Sequence, residues 1–224
     1  MIGKARKGYH HGHLAESLLD AVDEMAARLG FEAVTLRGCA KLVGVSPSSA
    51  FRHYADKRAL LTAFAARAMR RLTAALAEAR ERAEEEATDP FRAVCLAYVA
   101  FAIDRPALFR AMWREETIYS GDESYVRAAE ELRAQLTGGF AGTLEDRDPT
   151  RLDTEELLAW STVHGLAALM VDGPVGRSQS RVLKLSRAEE VIGALAPAFA
   201  RGSSGPAPTS GAVGATGTGD PLDP

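Results

Sequence analysis

Residues 36–54 have the sequence LRGCAKLVGVSPSSAFRHY, in which two short helical patterns flank a glycine. The first pattern, Leu36–Val43, ends at Gly44, and glycine adopts the left-handed conformation of a tight turn without steric cost. Ser46 and Pro47 then supply a cap and a first helical residue for a second helix. Two short helices around a sharp turn predict a helix-turn-helix.

The turn needs small and apolar residues where the two helices meet. Ala40 allows the backbones to approach, and Val45 is the apolar residue under the turn. We expect further core contacts from Leu36, Leu42, Ala50 and Phe51. From the spacing alone, an ordinary helical hairpin with a glycine turn remains the alternative.

The second helix of a helix-turn-helix enters the major groove of DNA. Arginine forms two hydrogen bonds with a guanine edge, and serine hydroxyls bind bases or phosphates. The residues expected on the exposed face of this helix are Ser46, Ser48, Ser49, Arg52 and His53. The expected partner is therefore double-stranded DNA.

Apolar periodicity predicts helices throughout 12–201 and favours no strand, so the fold class is all-α. The predicted helices are 14–29, 36–43, 46–54, 57–86, 90–105, 107–113, 123–144, 154–171 and 187–200. We expect a three-helix head at 1–56, a helical regulatory and dimerisation domain at 57–201 and a tail at 202–224. The tail has six glycines and four prolines and is expected to be disordered.

Charge is distributed unevenly along the chain. The net charge is −3 overall, but residues 1–60 carry +3 and the remainder carries −6. A basic head on an acidic body suits DNA binding by one end, although chance fluctuation is the alternative. No apolar run is long enough to span a membrane and no signal core is present, so we expect a cytoplasmic protein. Cys39 and Cys95 are expected to be buried thiols.

Several segments resemble the TetR family of bacterial regulators. In the head these are Thr35-Leu36, Gly44-Val45-Ser46, Phe51-Arg52-His53-Tyr54 and Asp56-Lys57-Arg58-Ala59-Leu60-Leu61. Tyr9-His10-His11-Gly12 is similar to the start of one branch, whose Trp-x-x-x-His-Gly signature resembles Trp160-Ser161-Thr162-Val163-His164-Gly165-Leu166. Gly38 departs from the family, which usually has a helix-favouring acidic residue there. Glycine costs about 1 kcal/mol of helix propensity.

The resemblance implies a regulator that binds a palindromic operator as a homodimer. Each protomer places the second helix of its helix-turn-helix in one half-site. It assigns phosphate contacts to Thr35, Tyr54 and Lys57, and we expect Lys57 to be a free lysine near a helix N-terminus. It places the dimer interface on the last two helices. The residues implicated there are Trp160, Val163, Leu166, Ala167, Met170, Val191, Leu195 and Phe199, for which packing within one chain is the competing interpretation.

The resemblance also implies an effector pocket in the body. The candidate lining residues are Tyr98, Phe101, Met112, Trp113, Tyr119, Phe140 and His164. They are mainly apolar and aromatic, which suits a hydrophobic small molecule whose identity stays unknown. We expect a repressor that this effector releases from DNA; an activator, or a member without an effector, is the alternative.

Other sites are less favoured. Lys4, Arg6 and Lys7 suit either an arm along DNA or a solvated terminus. His10, His11 and His13 lack cysteine or acidic companions, so we expect phosphate contact rather than a metal site. An enzyme using His164 or the His10/His11 pair has no identifiable nucleophile or paired carboxylate, and no catalytic residue or cofactor is expected.

Overall fold

The computed structural model describes residues 13–137, 154–173 and 180–202, and these segments are helical without any strand. The all-α prediction is confirmed. The helices are α1 Leu14–Leu29, α2 Leu36–Val43, α3 Pro47–Phe51, α4 Lys57–Glu85, α5 Pro90–Asp104, α6 Pro106–Ala111, α7 Glu123–Thr137, α8 Thr154–Val171 and α9 Arg181–Gly202. The division at 56 and 201 stays a prediction, and the tail beyond 202 lies outside the described residues.

Side-chain caps begin the second and third helices of the head, α2 and α3. The Thr35 hydroxyl accepts the Gly38 N–H at 3.0 Å, and Ser46 Oγ accepts the Ser49 N–H at 3.2 Å. Each cap binds an N–H group that has no partner within its helix. Gly44 ends α2 at φ 81°, the left-handed position expected of it. The predicted turn is therefore formed by the residue types that the sequence indicated.

One continuous apolar core joins the head to the body. In the head it contains Leu18, Val22 and Ala40, all fully buried. It continues along α4 through Phe64 and Leu72 into α5, α6, α7 and α8. Because α4 contacts elements of both parts, it connects the head mechanically to the helical body.

The structure corrects several predicted boundaries. α3 ends at Phe51 rather than Tyr54, and α6 ends at Ala111 rather than 113. α9 begins at Arg181, six residues before its predicted start, because 181–186 continue the helix without a breaking residue. Residues 138–144 of the predicted seventh helix lie outside the described segments. Among the described helices, none is long and apolar enough to cross a membrane.

Two predicted core residues are not buried. Leu42 is 45% exposed and Phe51 is 44% exposed. The core under the turn is filled instead by small residues, since Cys39, Ala40 and Ala50 are each fully buried. The buried thiols expected at Cys39 and Cys95 are confirmed. Burial raises the pKa of Cys39 to about 11 and that of Cys95 to about 12.

Candidate DNA-binding surface and its connection to the body

The outward face of α3 consists of small hydroxyls and one arginine. Ser46 Oγ lies 2.9 Å from Ser48 Oγ and 2.8 Å from Ser49 Oγ, so the three hydroxyls form one cluster at the start of the helix. Arg52 is exposed and has no hydrogen bond or ion pair with any residue that the structure describes. Its guanidinium is therefore available to an external acceptor.

Helical geometry shows which side chains point away from the core. Successive residues are rotated by about 100° around the helix axis. Because Ala50 is the buried residue of α3, Ser48 and Arg52 lie almost opposite it and face outward. His53 is exposed just beyond the helix end. The sequence placed these residues on one exposed surface, and the structure brings them together there.

The three predicted phosphate contacts have different surroundings. Thr35 is exposed at the start of α2, where its hydroxyl accepts the Gly38 N–H. The Tyr54 hydroxyl instead donates to the Ala15 carbonyl at 3.3 Å, and burial raises its pKa to about 12. A tyrosine has only one O–H to donate, and in this structure Tyr54 uses it to join α3 to α1, so the phosphate contact of Tyr54 stays a prediction.

Lys57 is not the free lysine that the sequence suggested. Its ammonium donates to the carbonyls of Phe31 and Glu32, both at 3.1 Å. These carbonyls belong to the 3-10 turn Phe31–Ala33 that follows α1. An ammonium has three N–H groups, so one donor remains for a phosphate.

A ten-residue segment, 110–119, joins the body to the head, and we call it the strap. On the head side, Arg114 pairs with Glu32 at 2.6 Å and its guanidinium lies over the Phe31 ring. The Ile118 carbonyl accepts from Arg58 Nε at 2.7 Å. The strap therefore binds both the turn after α1 and the start of α4.

Tyr119 completes the contact between the strap and α4. Its hydroxyl donates to Asp56 Oδ2 at 2.7 Å, its N–H donates to Thr62 Oγ1 at 2.9 Å, and its ring lies against the Arg58 guanidinium. Asp56 also caps α4, and the Ala59 N–H and the Tyr119 hydroxyl together lower the pKa of this carboxyl. Tyr119 is thus a head contact, and its assignment to the effector pocket is wrong.

On the body side, the strap touches the aromatic residues of α8. The Trp113 ring centroid lies 4.6 Å from that of His164 and 5.7 Å from that of Trp160. Arg110 donates to Asp172 at the end of α8, at 2.6 Å and 2.8 Å. Neighbouring strap residues therefore contact α8 and the head, an arrangement that no sequence motif indicated.

A buried arginine forms a second connection between head and body. Arg67 of α4 is only 4% exposed and pairs with Asp20 of α1 at 2.7 Å and more loosely with Glu16 at 3.4 Å. A buried charge is stable only when it is paired. The pair therefore restrains α1 against the middle of α4.

Part of the predicted pocket is present. The Tyr98 hydroxyl lies 3.0 Å from His164 Nδ1, and burial lowers the pKa of this histidine and raises that of the tyrosine. Met112 is buried nearby in the same core. Next to Tyr98 is an apolar cavity of about 30 Å³, lined on α5 by Phe91, Val94 and Cys95, on α7 by Leu136, and on α8 by Ala159, Trp160 and Val163.

Phe101 does not share this site. It lines a surface groove of about 790 Å³ between α1, α4 and the α5–α6 junction, with Asp20, Asp23 and Asp104 among its neighbours. Phe140 lies outside the described residues. Of the seven candidate pocket residues, Tyr98, Trp113 and His164 form a connected aromatic cluster.

Several predicted interface residues belong to the core of a single chain. Val163, Ala167 and Met170 are buried there, so their assignment to a dimer interface is wrong. Trp160 and Leu166 are half-buried. Val191 is exposed, whereas the side chains of Leu195 and Phe199 lie outside what the structure describes.

Apolar residues of α8 and α9 that sequence analysis did not assign to an interface are exposed instead. Leu158 is 58% exposed and Leu169 is 49% exposed, with Gly165 between them on the same side of α8. On α9, Leu183 is exposed in addition to Val191. The spacing of residues 158, 165 and 169 places them on one side of a helix, and this was the signal that could have identified the exposed face. Because α8 is apolar on almost every side, the spacing did not distinguish this face from the others.

The predicted N-terminal arm, Lys4, Arg6 and Lys7, lies outside the described residues, as do His10 and His11. His13 is the first described residue and directly precedes α1, without a side-chain cap.

Comparison with known proteins agrees with this architecture. Residues 18–64 match the family model for bacterial regulatory proteins of the tetR family, and residues 91–195 match the tetracyclin repressor-like C-terminal domain. No curated protein matches the chain significantly.

Solved structures of other proteins resemble this chain over most of its length. A protein of unknown function from Rhodococcus sp. RHA1 is 30% identical, with a TM-score of 0.65 over 88% of this chain and 98% of that one. A tetR-family regulatory protein from Rhodococcus RHA1 is 23% identical, with a TM-score of 0.58 over 80% and 94%. A TetR-family transcriptional regulator from Streptomyces coelicolor is 22% identical, with a TM-score of 0.56 over 84% and 98%. The chain therefore belongs to the TetR family, whose members are DNA-binding transcriptional regulators.

Proposed function

We propose that this chain is a repressor that binds a palindromic operator as a homodimer and leaves it when a small, mainly apolar effector enters the body. The observation that carries the proposal is the outward face of α3, where Arg52 is unpaired among the described residues and lies beside the serine cluster. We assign base contacts to Ser46, Ser48, Ser49, Arg52 and His53, and phosphate contacts to Thr35 and Lys57.

A second copy of the chain is needed for selectivity. One helix of five residues spans only a few base pairs, whereas two heads related by a twofold axis contact two half-sites. We place the dimer interface on the exposed side of α8 and α9, at Leu158, Leu169, Leu183 and Val191. Burying these side chains against a second copy removes apolar area from water.

We propose that the strap transmits the effector signal. A cavity of about 30 Å³ holds about one water, so a larger effector must separate α5 from α8. Such a movement displaces Trp113, whose ring contacts His164 and Trp160. The neighbouring Arg114 holds the head through Glu32. The effector lowers DNA affinity only if it binds the displaced state more tightly.

The DNA contacts are tested by two variants. We expect Arg52→Ala to weaken binding to a duplex selected from a random pool by about 1–3 kcal/mol and to relax base preference. Lys57→Ala should weaken binding to selected and random duplexes alike, because a phosphate contact carries no sequence information. Affinity of the wild type should fall steeply as salt concentration rises.

Arg82→Ala is the matched control, since Arg82 lies at the far end of α4 and pairs with Glu78. It should bind DNA as the wild type does. If Arg52→Ala and Lys57→Ala also bind selected and random duplexes like the wild type, the assignment of the DNA-binding surface is wrong. Addition of cell metabolites to the protein–DNA complex tests the effector part of the proposal separately.

A further inference from the structure

Trp160 has a buried hydrogen-bond donor that the described chain does not use. Its ring is half-buried, but the Nε1 atom is fully buried and donates to no residue that the structure describes. Burial raises the pKa of Tyr98 and the indole N–H opposes this rise, so the N–H lies close to the Tyr98 hydroxyl without a hydrogen bond of normal geometry. A buried donor without an acceptor is unfavourable. Trp160 Nε1 therefore favours a ligand that brings an acceptor.

The surroundings of this donor are uncharged. Trp160 and Tyr98 both line the apolar cavity between α5, α7 and α8, and the thiol of Cys95 is the most polar of its other described walls. His164 lies 3.0 Å from the Tyr98 hydroxyl, and burial lowers the pKa of this imidazole, which is therefore neutral at about pH 7. An ionised ligand would lose its hydration here without gaining a counter-charge from the described residues.

The acceptor that suits this site is a neutral carbonyl oxygen. A carbonyl accepts the indole N–H without bringing a donor of its own, whereas a hydroxyl also brings an O–H into an apolar cavity. We propose that the effector is a neutral, mainly apolar molecule with a carbonyl oxygen, and that Trp160 Nε1 donates to this oxygen. This inference rests on the proposed function, because it requires the effector to enter the body between α5 and α8.

The test compares three kinds of small molecule, each added to the full chain without DNA. The first is a series of methyl alkyl ketones, from methyl ethyl ketone to methyl octyl ketone. The second is the matching series of alkenes, in which a methylene group replaces the carbonyl oxygen, so that the shape is kept and the acceptor is lost. The third is the series of straight-chain carboxylates of the same lengths, which carry a charge.

Nuclear magnetic resonance detects the predicted hydrogen bond directly. The chain has two tryptophans, Trp113 and Trp160, and therefore two indole N–H signals. The spectrum of Trp113→Phe identifies the signal of Trp160. We expect ketones to move the Trp160 indole proton downfield, because a new hydrogen bond deshields it. The matching alkenes should cause no downfield shift, and the carboxylates should leave the spectrum unchanged.

Trp160→Phe assigns the preference for ketones to the indole N–H. Phenylalanine keeps an aromatic ring and lacks the donor. The affinity for a ketone relative to its matching alkene should fall about tenfold in this variant, since one buried hydrogen bond is lost. The alkene is the internal control, because its affinity reports any change in the shape of the cavity and is independent of the hydrogen bond.

The inference is wrong if no ketone moves the Trp160 signal, if carboxylates move it as far as ketones do, or if Trp160→Phe keeps the full preference for ketones. Operator binding by the chain would still stand after any of these results. Release of a selected duplex by the same ketones tests the proposed function separately. Ketones that bind at Trp160 and leave the duplex bound would support the carbonyl site and contradict the proposed release from DNA.

Discussion

Gly38 shows how one residue can look unfavourable in sequence and still suit its site. A Cβ atom at this position would lie 2.9 Å from Met25 Cε and 2.9 Å from Thr35 Oγ1. The methionine end can move, but the threonine hydroxyl is held in place by its hydrogen bond to the Gly38 N–H. Glycine therefore leaves room for the cap that begins α2.

This crowding predicts non-additive effects on stability. Gly38→Ala should leave the free energy of unfolding almost unchanged, because a propensity gain of about 1 kcal/mol is offset by a weakened cap. In a Thr35→Ala background, where the hydroxyl is absent, Gly38→Ala should stabilise by roughly 0.5–1 kcal/mol. Urea unfolding of the four proteins in a double-mutant cycle measures the coupling, and simple additivity would contradict the packing argument.

His164 makes the stability of the body depend on pH. Burial lowers the pKa of the folded imidazole below its ordinary value of 6.5, so the unfolded chain takes up a proton first as pH falls. The contribution of this group is complete above about pH 6.5 and decreases as pH falls towards the folded pKa. Urea midpoints should therefore be lower at pH 5.5 than at pH 8.

The decrease in urea midpoint from pH 8 to pH 5.5 should be smaller in His164→Gln, whose side chain is neutral at both pH values. His53→Gln serves as the control, because His53 is exposed on the folded chain and its replacement should leave the loss unchanged. Equal losses in wild type and His164→Gln would assign the pH dependence to other groups.

At the scale of the elements, the strap contacts both the body and the head. Trp113 and Arg114 are consecutive, yet one contacts α8 and the other contacts the turn after α1. Glu32 is largely exposed whereas Arg114 is half-buried, and pairs with an exposed partner contribute at most about 1 kcal/mol to global stability. Its effect should therefore appear in local opening of the head rather than in global unfolding.

We expect Glu32→Gln to increase amide hydrogen exchange in 114–119 and at the start of α4, with a change in global unfolding free energy below about 1 kcal/mol. Glu123→Gln likewise neutralises an exposed glutamate of an ion pair, Glu123–Arg127, which lies within α7 and does not touch the head. Exchange in the strap should stay at the wild-type rate in this control. Identical exchange in both variants would show that the pair does not hold the strap.

At the scale of the whole molecule, the exposed apolar side of α8 and α9 predicts self-association. Leu158→Arg and Leu169→Arg place a charge in the proposed interface, and a buried unpaired charge is unfavourable. Sedimentation velocity at micromolar concentration should show a dimer for the wild type and a monomer for each variant.

Leu29→Arg adds the same charge at another exposed leucine, in the head, and should remain dimeric. A wild-type protein that sediments as a monomer would exclude the proposed interface. Dimeric Leu158→Arg and Leu169→Arg proteins would move the interface to another surface.

The sequence by itself determined the helix-turn-helix and the helical class of the body. Its signals there are local: Thr35 and Ser46 cap helices through the next turn of backbone, and Gly44 adopts its conformation without help from distant residues. The exposed face of α3 follows from the same periodicity. These properties depend on neighbours within about four residues, which the sequence displays directly.

The tertiary structure alone decided which apolar residues are buried and which groups pair across the molecule. α8 is apolar on nearly every side, so its periodicity could not separate the core residue Val163 from the exposed Leu158. The partners of Lys57 and Tyr119 lie 25 and 63 positions away in the chain. Contacts over such separations depend on how the helices pack, and no local pattern encodes that packing.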